Sequence, residues 1–177
     1  MLLRHGLPGA LLAVVCLLFP PTQALLAASL VGLLVQPQFY LFTLVAVFIA
    51  LSGFTRYING SFRLNQLVWV AYLGALSFWE EWVFRAALPY YLIGEGVGFW
   101  QAVIAVNLVF GLAHYFTLRW KWYWCLGAFF GGVALANRFA DQQDLVVIAG
   151  LHWVVTFLNT PRSPGLGRRW SKPAPFV

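Results

Sequence analysis

The sequence predicts an all-α fold, a polytopic bundle of about six membrane helices. Three observations predict it. First, 62% of the 177 residues are hydrophobic and 9% are charged, against ~45–50% and ~25% in average soluble domains. Mean hydropathy is +0.79, which excludes a disordered chain, since disorder needs low hydrophobicity. Second, the apolar residues form long runs separated by short polar links. A crossing needs about 20 apolar residues, so the length allows roughly six or seven spans and no separate soluble domain. Third, the basic residues gather in alternate links.

The first apolar stretch is Leu7 to Val35, interrupted by Pro20-Pro21. Neither half can span alone, and together they are expected to cross once with a proline kink. A rival reading is a cleaved signal peptide: Arg4-His5 before the apolar Leu7–Phe19, with Thr22-Gln23-Ala24 near the cut. Phe39–Phe54 is the second span, closed by Arg56. The third runs from Leu64 to Ile93, about 44 Å at ~1.5 Å per residue, so it tilts or projects. Gly94-Glu95-Gly96 turns the chain. The fourth span is Phe99–Leu118, ended by Arg119-Trp120-Lys121. Trp122–Ala136 is the fifth, with Gly127, Gly131 and Gly132 as a face for close packing. A polar link, Asn137–Asp144, precedes the sixth, Leu145–Leu158. No internal repeat is visible. Residues 1–159 read as one transmembrane domain with its catalytic core at 64–159, and 160–177 as a basic, Pro/Gly-rich tail.

Net charge is +6. In a soluble chain this would raise nucleic-acid binding, but here the charge sorts by membrane side. With the N-terminal side cytoplasmic, that face holds Arg4, Arg56, Arg63, Arg119, Lys121, Arg162, Arg168, Arg169 and Lys172, and the other holds Arg138 alone. Both termini are therefore expected in the cytoplasm. The implied partner is the lipid bilayer, not nucleic acid. Cys16 and Cys125 lie in apolar stretches without metal-ligand spacing.

Two of the five acidic residues are adjacent within the third span, in Ser77-Phe78-Trp79-Glu80-Glu81-Trp82-Val83-Phe84-Arg85. Each mid-membrane charge costs ~2.5–3.5 kcal/mol on insertion scales, so three together point to function. Glu81 and Arg85 are i,i+4 and can pair. Glu80 points about 100° away, without a local partner. A structural ion cluster between helices is the plainer alternative. His114 follows Phe110-Gly111-Leu112-Ala113, with Asn107 on its face. His152, Thr156 and Asn159 share one helical stripe. Either histidine alone could be a core residue bonded to a carbonyl; with Glu80-Glu81, three helices present polar stripes. His5 lies near the terminus and needs no function.

Depth permits convergence. His114 and His152 lie roughly 7–11 Å from the cytoplasmic ends of their spans, and Glu80 about 13 Å in if the third helix enters lipid near Ala71. Entry at Leu64 would put Glu80 near 24 Å instead.

These residues resemble the CPBP family (CAAX proteases and bacteriocin-processing enzymes, also called ABI), whose type II CAAX prenyl endopeptidases are intramembrane glutamate proteases. Glu80-Glu81-x-x-x-Arg85 fits its first motif and Phe110-x-x-x-His114 its second. The third motif is usually His-x-x-x-Asn or Asp; here Thr156 stands four after His152 and the amide comes at Asn159. The resemblance covers Ser77 to Asn159, and the size is closer to the small prokaryotic members that process C-terminal sorting tails. It implies an integral protein of a prokaryotic inner membrane. It also implies hydrolysis of a membrane-associated protein or peptide substrate without a metal or other cofactor. Glu80 would be general base on a water, assisted by His114, with Glu81 and Arg85 orienting Glu80. His152 would be the principal oxyanion donor, Thr156 its nearest helper and Asn159 a residue of the aqueous rim.

Other readings remain beside this one. Glu80 or Glu81 with His114 and His152 could form a His₂Glu zinc set, though no His-Glu-x-x-His helix supports it. A proton-coupled transporter or a bacteriocin-immunity-type protein would use the same groups as a relay or docking site.

Overall fold

The computed structural model describes residues 2–163; residues 164–177 of the expected basic tail, with Arg168, Arg169 and Lys172, lie outside them. Every regular element among the described residues is helical: α1 (Leu7–Cys16), α2 (Pro20–Ser29), α3 (Val31–Val35), α4 (Pro37–Asn59), α5 (Leu64–Glu81), α6 (Leu88–Gly94), α7 (Phe99–Ala113), α8 (Trp122–Gln142) and α9 (Leu145–Asn159). Three wider π-turns, Leu2–Gly6, Trp82–Ala87 and His114–Leu118, lead into α1, join α5 to α6 and extend α7.

Two of the π-turns have a cause in the sequence. Pro8 and Pro89 sit in the first turns of α1 and α6. Having no N–H, they cannot bond the carbonyls four residues back, those of Arg4 and Arg85. The ladder slips by one residue, and Leu88 N–H bonds Val83 O instead. Such bulges often sit at functional sites.

Membrane-facing character is plain on α4. Phe39, Phe42, Val45 and Ile49 all point outward, Phe42 at 76% exposure. Exposed apolar faces of this extent need a partner or lipid. Among the described residues two helices are long and apolar enough to cross, α4 and Phe99–Leu118, or three if α1 and α2 form one broken span. About six crossings are therefore not met by length and hydropathy. The 15 residues of α9 reach only about 22 Å at 1.5 Å each, short of the ~30 Å core. The N-terminal pair also departs from a simple kinked crossing, because Arg4–Cys16 and Pro20–Ser29 diverge by 106°, a broken span or a re-entrant loop. Beyond Ala136, where a polar link was expected, α8 continues to Gln142. Phe139, fully buried against Tyr90, holds that extension.

The core joins α5 to α9 and α7 to α8. The Trp153 indole donates to Val70 O at 2.9 Å, and Gly74 gives it room, since a Cβ there would lie 2.9 Å from the ring. Asp144 caps α9 by accepting from Val147 N at 3.0 Å and also accepts from the Tyr40 hydroxyl. Trp82 Nε1–H donates to Ala13 O at 3.3 Å, fastening α1 to the first π-turn after α5.

Candidate active site

Glu80 and Glu81 end α5, and Arg85 lies in the π-turn that follows. All three are buried, with exposures of 4%, 0% and 1%. The expected i,i+4 pair forms: Arg85 Nη2 lies 3.4 Å from Glu81 Oε1. The Arg85 guanidinium also sits 4.1 Å from the centre of the Phe110 ring, a cation–π contact strengthened by burial. Gly132 makes this approach feasible, since a Cβ there would lie 3.0 Å from Arg85 Nη2 and would collide with Asn107 Oδ1. One member of the predicted glycine face thus has a defined duty.

Phe110 serves His114 as well. Its carbonyl accepts the His114 Nδ1–H at 2.9 Å. That bond fixes the neutral tautomer and leaves Nε2 with a lone pair. From α9, His152 brings Nδ1 to 2.6 Å from Glu81 Oε1 and Nε2 to 3.7 Å from Glu80 Oε2. Glu81 thus stands between Arg85 and His152, and it reaches Glu80 only through His152. Neither Glu81 oxygen has an aligned hydrogen bond among the described residues; its contacts are ionic.

The depth question resolves in favour of convergence. Glu80 and His114 place ligand-type atoms within 4.8 Å of each other. Glu80, Arg85, His114, His152, Thr156 and Asn159 line one cavity of about 510 Å³. Trp120 also lines it and packs on the His114 ring at 4.7 Å.

The expectation for His5 fails. It is buried at 8% exposure, its Nε2 lies 2.5 Å from Glu80 Oε1, and its Nδ1 lies 2.7 Å from Thr117 Oγ1. Glu80 therefore has a partner, supplied from the π-turn before α1. Sequence spacing could not reveal a contact made across the bundle. The one available signal was a polar ring in a chain that places few of them near apolar runs.

His5, Glu80 and His114 are also the residues that could hold a divalent ion. Each imidazole has its other nitrogen bonded to an oxygen, as metal-ligating histidines do. The spacing fits a proton better than an ion, because tetrahedral zinc at about 2.0–2.2 Å from each donor needs donors roughly 3.3 Å apart, whereas His5 Nε2 and Glu80 Oε1 are 2.5 Å apart.

A family model for the type II CAAX prenyl endopeptidase Rce1-like proteins matches residues 62–158, more than half of the chain. No curated protein and no solved structure gives a significant match.

Proposed function

The chain belongs to the type II CAAX prenyl endopeptidase Rce1-like family, and from that premise we propose that it is an intramembrane endopeptidase whose nucleophile is a water activated by Glu80. The substrate would be a membrane-associated protein cut near its C-terminus, either prenylated or carrying a sorting tail. One observation carries the reading: a buried carboxylate in a cavity with imidazoles from three segments around it. It supports the following roles. Glu80 takes the proton of the attacking water, and the His114 Nε2 lone pair helps hold that water. His152, with Nδ1 against Glu81, lies between two carboxylates. From there its Nε2–H donates to the oxyanion. Thr156 is its nearest helper and Asn159 belongs to the rim. Glu81 and Arg85 orient Glu80 through His152, which contacts both carboxylates. We further propose six crossings of a prokaryotic inner membrane with both termini cytoplasmic, on the strength of the nine-to-one distribution of basic residues.

The test uses the reconstituted protein and a farnesylated Cys-aliphatic-aliphatic-X reporter peptide. Glu80→Gln should abolish cleavage in a protein that still folds, and continued cleavage by that variant would refute the mechanism. The His5, Glu80 and His114 cluster favours one second reading, a zinc hydrolase. Loss of activity on chelation, with recovery on adding zinc, would select it.

A further inference from the structure

The hydrogen bonds around His5 form a closed proton account. The Thr117 hydroxyl donates its only proton to Ala113 O at 2.5 Å. Towards His5 it can therefore only accept, so His5 Nδ1 carries a proton and donates it at 2.7 Å. The other nitrogen, Nε2, lies 2.5 Å from Glu80 Oε1, a contact in which an imidazole N–H donates and the carboxylate accepts.

We propose that His5 is a catalytic residue, the acid that delivers a proton to the departing amine. The proposal rests on the glutamate-activated reading above. His5 lies outside residues 62–158, so the family match does not supply it. It lines the same cavity as Glu80, His114 and His152, which gives it access to the reacting bond. The step balances. Glu80 Oε2 takes one proton from water as the new C–O bond forms, and the other stays on the attacking oxygen. As the C–N bond breaks, His5 Nε2–H passes its proton to the nitrogen. The proton on Glu80 then moves to His5, and the products are an amine and a carboxylic acid. The groups facing His5 are Glu80 from α5, and His114 and Thr117 from the turn after α7. His152 lies at the other oxygen of Glu80, with Glu81 and Arg85 behind it.

The experiment compares two probes in the reconstituted full chain: the farnesylated reporter peptide and its depsipeptide, with an ester at the scissile bond. An amide nitrogen cannot leave without a proton, whereas an ester oxygen depends on one far less. His5→Gln should lose about 10²-fold or more on the amide and within about tenfold on the ester. Ester cleavage also shows that the variant folds. Added imidazole should restore part of the amide cleavage by His5→Ala. Equal losses on both probes would overturn the proposal. So would one equivalent of zinc per wild-type chain that is lost in His5→Gln. An active Glu80→Gln protein would instead refute the parent reading, so the two failures are distinguishable.

Discussion

Arg85→Met tests the buried ion pair directly. Methionine keeps the length of the side chain and can retain a sulfur–aromatic contact with Phe110, but it leaves Glu81, at 0% exposure, without its cation. Removing one partner of a buried pair costs about 3–5 kcal/mol. His152 Nδ1 remains 2.6 Å from Glu81 Oε1 and offsets part of this, so the expected loss is near the lower end, about 3 kcal/mol. For a chain of this size that corresponds to a fall in Tm of about 6–12 °C. Glu81→Gln with Arg85→Met removes both charges and should recover about 1–3 kcal/mol relative to the sum of the single variants. Unfolding in mixed micelles, followed by tryptophan fluorescence, reads all four proteins of the cycle. Single penalties that add to within about 0.5 kcal/mol would show that the pair is not coupled and that the argument for Glu81 as a bridge is wrong.

The oxyanion set and the topology give two further predictions. On the reporter peptide His152→Ala should lose about 10²–10³-fold, with Thr156→Val intermediate and Asn159→Ala the mildest; an Asn159→Ala protein as inactive as His152→Ala, with Thr156→Val fully active, would move the helper role to the amide. In a background lacking Cys16 and Cys125, Lys121→Cys should react with an impermeant thiol reagent from the cytoplasmic side and Glu95→Cys from the other; labelling of both from one side would refute the proposed topology.

Much of the site was legible because its signals are local. The Glu81–Arg85 pair follows from i,i+4 geometry, and His114 and His152 stand out as ionisable rings inside apolar helices. α9 matches its expected span to within a residue, and α5 and α7 begin where expected at Leu64 and Phe99, but they end at Glu81 and Ala113, where π-turns interrupt the regular helix expected to Ile93 and Leu118. Long-range packing was not legible. Nothing in the spacing of His5 tells that its helix folds back 106° at Pro20 and lies against the turn after α5. A proline pair announces a break but carries no angle. Hydropathy runs are not the same as spans: α1, α2 and α9 are each too short to cross singly, so crossings there need a broken pair or a locally thinned bilayer. The π-turns had a visible cue in Pro8 and Pro89, but a missing N–H can kink a helix or widen it, and packing decides which.

The bent N-terminal pair and the last described helix together have a consequence for biosynthesis. The ribosome delivers these segments one after another, yet Glu80 meets His5 from the first and His152 from the last. When α5 emerges, His5 is already available to Glu80, and Arg85, four residues on, pairs with Glu81; only the His152 contacts from α9 are missing. The two acidic residues therefore enter with partners of their own, and an incomplete nascent chain lacks only the wall of the cavity that α9 supplies. The cavity is complete only with the arrival of α9, which brings His152, Thr156 and Asn159 to it last.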